Sequence, residues 1–245
     1  MLDCWKAKVG WIQPRLCNDI EIYDFYRAAP KDVVLVVTHL AVVDSARKEE
    51  IEASLAMLDK AVERLNMAGV NLIMLGGDPV HLHHGNEGHK RILERLHALT
   101  KVPLTTSSQA LAEAFQFLSS QRILMVSSWR PESKHLLERL RDFLLAEGIE
   151  IVAVETTQRS LLSIEKSVMT PAQIYDHVVT AYNKNPNVDA IFIQSGTMAT
   201  VDIIEDLEEK TGKPVVSTNS AKIWGSFRTL NIAVGRGYGR LLSSL

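Results

Sequence analysis

The stretch Ile191-Phe192-Ile193-Gln194-Ser195-Gly196-Thr197-Met198-Ala199-Thr200 decides how this chain is read. Residues 190–193 are a short apolar run, as expected for a strand covered on both faces. Gln194-Ser195-Gly196-Thr197 closes the run in small polar residues. Residues 201–209 then show helical spacing with acidic charge early, which suits a helix start. A strand, a small polar turn and a helix place Ser195 beyond a strand's carboxyl end, where open α/β sheets bind ligands. Backbone N–H groups around Gly196 and Thr197 are expected to offer an anion cradle there.

Outward from this stretch, strand-like runs at 9–12, 33–37, 71–75, 102–105, 123–126, 149–154 and 214–216 alternate with helical ones. The helical patterns fall at 19–26, 49–68, 89–99, 135–147 and 171–182. Such alternation argues for parallel sheets in an α/β fold. The pattern also repeats. Val70-Asn71-Leu72-Ile73-Met74-Leu75-Gly76-Gly77-Asp78-Pro79 matches Val188-Asp189-Ala190-Ile191-Phe192-Ile193-Gln194-Ser195-Gly196-Thr197, which puts Gly77 and Ser195 in equivalent places. Downstream, Pro103-Leu104-Thr105-Thr106-Ser107-Ser108-Gln109-Ala110 has its counterpart in Pro214-Val215-Val216-Ser217-Thr218-Asn219-Ser220-Ala221. We therefore expect two pseudo-symmetric halves, each a mostly parallel sheet flanked by helices, with a ligand cleft between them. The first half takes residues 1–106 plus 220–245 and the second takes 107–219.

The 245 residues carry a formal net charge of −2, with no block of Lys or Arg, so nucleic acid is not an expected partner. No apolar run approaches the ~18 residues that cross a bilayer, so no membrane partner is expected either. The start, Met1-Leu2-Asp3-Cys4-Trp5-Lys6, does not read as a secretory signal. Two cysteines, Cys4 and Cys17, make no disulfide framework, and a reducing cytoplasm is the expected location. A small-molecule ligand is the expectation, with a homo-oligomer as a common state for such proteins.

The segment Asp78-Pro79-Val80-His81-Leu82-His83-His84-Gly85 is the most unusual locally and reads as a loop. Clustered imidazoles beside a carboxylate suit a metal, but the spacing matches no helical zinc motif, and no metal is expected. The other reading makes Asp78 or His81 a general base, with Asp78 the better placed because it follows Gly77. Cys17 lies just after the first strand, on the ligand side, as a reactive thiol or a small filler. Ser107, Ser108, Thr218 and Asn219 follow paired strands and either line the cleft or cap helices.

Several ordered pieces carry a family resemblance. They are Val9-Gly10-Trp11-Ile12-Gln13-Pro14, Leu75-Gly76-Gly77-Asp78-Pro79, Val102-Pro103-Leu104-Thr105-Thr106, Asn187-Val188-Asp189-Ala190-Ile191-Phe192-Ile193-Gln194-Ser195-Gly196-Thr197, Pro214-Val215-Val216-Ser217-Thr218-Asn219 through to Trp224, and Gly237-Tyr238-Gly239-Arg240-Leu241-Leu242. Together they resemble the Asp/Glu racemase superfamily, arylmalonate decarboxylases first and maleate cis-trans isomerases next. The resemblance implies chemistry without a cofactor on a small carboxylate substrate. It also implies cysteines after equivalent strands, in both halves or, in the decarboxylases, in the second alone. Here those positions fall on Gly77 and Ser195. The small hydroxyl residues that follow the first-half glycine in the decarboxylases fall on Asp78 and Pro79. A phenol position falls on Trp129, within Ser127-Ser128-Trp129, and an isomerase Asn falls on Cys17, with Asn18 beside it.

A thiol can both give and take a proton near neutral pH, whereas a serine hydroxyl needs a neighbouring base. If proton chemistry next to a carboxylate is retained, Asp78, His81 or Cys17 must move the proton. Groups of Gly77, Asp78, Ser195, Gly196 and Thr197 would hold developing negative charge. Pro79, Ser128 and Trp129 would line the pocket, the indole as a flat wall with one donor. Two alternatives stand beside this reading. One is a hydrolase or lyase with Ser195 as nucleophile and Asp78 or His81 as its base. The other is a non-catalytic small-carboxylate binding protein.

Overall fold

Alternation along the apolar strands sorts their side chains onto two faces, and this sorting builds the molecule. In the first half the strands are β1 (Ala7–Arg15), β2 (Val33–Val42), β3 (Leu72–Leu75) and β4 (Leu104–Thr106). They form a parallel sheet in the order β2-β1-β3-β4. In the second half β5 (Arg122–Ser127), β6 (Glu150–Thr156), β7 (Ala190–Gln194) and β8 (Val215–Ser217) form a parallel sheet in the order β6-β5-β7-β8. The two orders are the same, so β3 and β7 are equivalent strands. This is the expected α/β architecture of two pseudo-symmetric halves. The structure, a computed structural model, describes residues 5–129, 133–157 and 169–245. Cys4 lies outside the described residues.

Met74 on β3 and Phe192 on β7 point into one shared core between the sheets, with Trp11, Phe25, Phe115, Trp224 and Phe227. Ile73 and Leu75 face the other way, onto α2 (Lys48–Met67) and α4 (Gly85–His97), in a second cluster. Ile191 and Ile193 likewise face α7 (Pro171–Lys184) and α8 (Ile204–Thr211) in a third. Complete burial of these strand residues explains why β3 and β7 read as continuous apolar runs.

Two helices, α5 (Ser107–Phe117) and α9 (Thr218–Leu230), follow the last strand of each sheet and pack on each other. Both start with a capping box. Thr106 pairs with Gln109, and Ser217 pairs with Ser220 at the equivalent positions. The repeated sequence Pro-x-x-Ser/Thr-Ser/Thr is therefore a strand end running straight into a capped helix. The remaining helices are α1 (Ile20–Ala28), α3 (Asp78–His81), α6 (Lys134–Ala146) and α10 (Gly239–Leu242).

The histidine-rich segment departs from the expectation of a loop. Asp78 and Pro79 open α3, and α4 starts at Gly85 instead of 89. Proline in a first helical turn lacks only an N–H that would have no partner there. After Ser195 the expected helix is delayed: a 3-10 turn, Val201–Ile203, precedes α8. No helix among the described residues is long and apolar enough to cross a membrane.

Candidate active site

Strand ends from both sheets converge on one cleft. Its walls include Pro14 and Arg15 at the end of β1, residues 42–45 at the exit of β2, Gly77, Asp78 and Pro79 after β3, Ser128 and Trp129 after β5, Gln194, Ser195 and Gly196 at the exit of β7, and Thr218 after β8. These contributors lie at strand carboxyl ends, as the strand-end rule requires, and Glu21, Ile51 and Ser133 from the helical segments complete the lining.

On the first-half wall the chain leaves β3 through Gly77 at φ 81° and ψ 89°, in the left-handed region. A Cβ there would run into the Pro14 ring, so both backbone and space call for glycine. Asp78 follows at 5% exposure. Its Oδ1 accepts hydrogen bonds from Ser107 Oγ at 2.9 Å and Ser108 Oγ at 2.8 Å. Desolvation raises the Asp78 carboxyl above its ordinary value, partly offset by the two serine donors and the charge of Lys222.

Ser108 spends its one proton on Asp78, so its oxygen accepts from His81 Nε2 at 2.9 Å. His81 Nδ1 is then the bare nitrogen, buried with no hydrogen-bond partner among the described residues. Burial and the neighbouring His89 push His81 well below the ordinary imidazole range. His89, whose Nε2 lies 3.2 Å from Thr106 Oγ1, is pushed down to about 4 by burial.

The second-half wall is built differently. Ser195 is 2% exposed, and its Oγ accepts the Thr197 N–H at 3.1 Å and lies 3.0 Å from Thr197 Oγ1. Among the described residues it makes hydrogen bonds only within its own turn. Gly196 is close-packed against the other half, because a Cβ there would strike Glu21 Oε1. Ser128 N–H donates to the Gln194 carbonyl at 3.2 Å, and the Trp129 N–H donates to Ser127 Oγ at 3.0 Å. These bonds hold the β5 exit beside the β7 exit, with Trp129 half-buried at the cleft.

Sequence reasoning missed the charged groups at the bottom of the cleft. Glu21, on α1, lines it and pairs through Oε2 with Lys222 Nζ and Gln13 Nε2. Lys222 is 1% exposed, on α9, with its ammonium 4.3 Å from the centre of the Trp11 ring. Arg15 is the one cationic side chain in the cleft lining among the described residues. Burial draws its guanidinium below the ordinary value, against the opposing pull of Glu21 and Asp44. The only local signal was Arg15 at the end of an apolar strand. Glu21 and Lys222 are separated by 201 positions, and no local pattern joins them.

The structure brings Ser195, Asp78, Gly77, Pro79, Gly196, Trp129 and Ser128 to the cleft. Three other expected site residues do not line it. Cys17 is exposed beyond the end of β1, because the chain turns outward at Leu16 before α1 begins. His81 is fully buried behind Asp78, held there by Ser108. Thr197 turns its N–H to Ser195, so that donor is taken and the expected anion cradle is reduced at this residue. Of the four residues after the paired strands, Thr218 lines the cleft, whereas Ser107 and Ser108 hold Asp78. Asn219 donates to Asp24 Oδ2 at 2.9 Å, and the caps are Thr106 and Ser217.

Comparison with known proteins agrees with this architecture. The family model for arylmalonate decarboxylase matches residues 32–242. Arylmalonate decarboxylase of Bordetella bronchiseptica is 27% identical over 202 residues, covering 80% of this chain and 81% of that protein. Maleate isomerase of Alcaligenes faecalis is 22% identical over 191 residues, covering 74% and 71%. Among solved structures, a glycine-to-cysteine, cysteine-to-serine double mutant of arylmalonate decarboxylase in its liganded form superposes with a TM-score of 0.86 at 23% identity, over 98% of this chain and 100% of that one. A Nocardia farcinica maleate cis-trans isomerase mutant with a covalently bound succinylcysteine intermediate gives 0.82 at 21% identity, over 98% and 99%.

Proposed function

Because this chain belongs to the arylmalonate decarboxylase family, within the Asp/Glu racemase-like superfamily, we propose that it is a cofactor-independent enzyme moving a proton beside the carboxylate of a small organic acid. The reaction class is decarboxylation, isomerisation or racemisation. Gly77 and Ser195 stand in place of the superfamily's cysteines. The observation that supports this reading is Asp78, a buried carboxyl on the cleft wall whose affinity for protons is raised by desolvation. Two serine donors fix its orientation on the cleft wall, as a general acid or base needs.

In the decarboxylation form, loss of carbon dioxide leaves its electron pair on the α-carbon as an enediolate. The Asp78 carboxyl then gives its proton to that carbon and is recharged from solvent. Thr197 donates its N–H to Ser195 Oγ, and when the Thr197 hydroxyl donates to that oxygen as well, the Ser195 proton is free for the ligand. Ser195 and the Gly196 N–H would then stabilise the developing charge. Arg15 supplies positive charge for the carboxylate that remains. The serine-nucleophile alternative lacks support, since neither Asp78 nor His81 hydrogen-bonds Ser195.

Proton exchange in heavy water, followed by NMR on malonates, maleate, and amino and hydroxy acids, tests the proposal. Exchange or product formation that disappears in Asp78→Asn is the expected result. Saturable binding with no exchange on any acid would overturn catalysis in favour of a small-carboxylate binding protein.

A further inference from the structure

Two histidines away from the cleft lining, His83 and His84, meet a carboxylate from another helix. His83 Nε2 lies 3.2 Å from Glu52 Oε1, and His84 Nε2 lies 3.4 Å from the same oxygen. One ligand atom from each of the three residues falls within 4.8 Å of the others. The imidazoles stand edge to face with centroids 4.7 Å apart, so their rings do not stack against each other. Glu52 comes from α2, while His83 and His84 form the corner between α3 and α4.

We propose that Glu52, His83 and His84 form a binding site for a zinc-class divalent cation, with three protein ligands and an open position toward solvent. A tetrahedral zinc with bonds near 2.0–2.1 Å separates its ligand atoms by about 3.3 Å, which matches the two measured separations. Two imidazoles and one carboxylate are the borderline donor set that zinc, nickel and cobalt favour over magnesium or calcium. His83 is largely buried, at 11% side-chain exposure, and so is held in place before an ion arrives. His84 and Glu52 are about half exposed, which leaves the ion an entry path.

An ion pair alone is the rival account of the cluster. It would leave both imidazoles sharing one carboxylate oxygen, and metal uptake separates the two accounts. The Lys48 ammonium is close enough to oppose any cation, so binding is expected to be weaker than at a four-ligand structural site. Ile51, beside Glu52, lines the cleft, and α3 carries Asp78. A bound ion would pin two elements of the first-half wall together from outside.

The test uses the full chain without an affinity tag, stripped of metal, and titrated with zinc chloride in a calorimeter. One zinc per chain is expected, together with a higher Tm. Cobalt chloride should give the visible spectrum of a low-coordinate site. Glu52→Gln, His83→Ala and His84→Ala should each weaken zinc by more than the about tenfold that loss of an outer-shell partner costs. Glu52 and His84 are exposed enough that their variants should keep the metal-free Tm, which separates lost binding from lost folding. No zinc uptake, or uptake unchanged in Glu52→Gln and His84→Ala, would overturn the proposal. The proposed reaction does not depend on either result.

Discussion

The turns after β3 and β7 occupy equivalent places in equivalent sheets, yet they carry different chemistry. After β3, Gly77 leads directly into a helical turn whose Asp78 is tied to the next helix through Ser107 and Ser108. After β7, Ser195 closes on Thr197 within its own turn, and the charged neighbour is Glu21, reaching over from the other half. One wall therefore holds a group that titrates and the other holds neutral donors. A fold that repeats its backbone does not have to repeat its protons. Pairing an acid on one wall with donors on the other is a way to assign separate roles to two sides of one ligand.

The comparison breaks if the walls contribute alike. Asp78→Asn should cost the largest factor, about 10²- to 10⁴-fold in kcat, as expected for loss of a general acid or base. Its stability should move the other way. Burial raises the Asp78 carboxyl, so its contribution to stability is full in acid and is lost as pH rises through the folded-state value. Asp78→Asn should therefore melt above the parent at pH 7, and that lead should vanish in acid; a lower Tm at pH 7 would count against a desolvated carboxyl.

His89 sharpens the contrast through acid sensitivity. Its folded value of about 4 lies below the unfolded value near 6.5, so its contribution is full above about 6.5 and is lost as pH falls through about 4. The loss is at most about 3 kcal/mol. Urea unfolding at pH 7 and pH 4 should show His89→Gln losing less stability than the parent.

Gly77→Ala should destabilise by about 2 kcal/mol, from the collision with Pro14 and the left-handed backbone, and chemical denaturation would measure it. Ser195→Ala should have the smallest effect. It should lower kcat/KM about tenfold, the scale of one hydrogen bond to charge, with Tm nearly unchanged. A loss as large as that of Asp78→Asn would instead make Ser195 the reacting group.

The frame of this molecule was legible because parallel strands buried on both faces leave uninterrupted apolar runs, as at 72–75 and 190–193. Repetition then located Gly77 and Ser195 at the cleft. Asp78 was legible as a site residue, but its helix was not. Glycine and aspartate before a proline point to a turn as readily as to a helix start. The buried charged groups in and behind the cleft wall were hidden for a different reason. Glu21 and Asp24 sit on a short helix whose pattern explains only packing, and their partners Lys222 and Asn219 lie near the other end of the chain. Glu52 was likewise invisible beside His83 and His84, being one more acidic residue on a long amphipathic helix.

The Lys222–Glu21 pair also bears on how the chain is made. During synthesis the amino-terminal half emerges first, and β1 to β4 can pair before the second half exists. Glu21 then lacks its Lys222 partner until residue 222 leaves the ribosome. Asp24 waits in the same way for Thr200 and Asn219. Contacts of such long sequence separation close late, since the intervening loop must be ordered first. A nascent chain stalled before α9 would hold a finished first sheet and an unfinished cleft. It would be a marked substrate for chaperones and proteases, and the proposed activity would arrive only with the last helices of the chain.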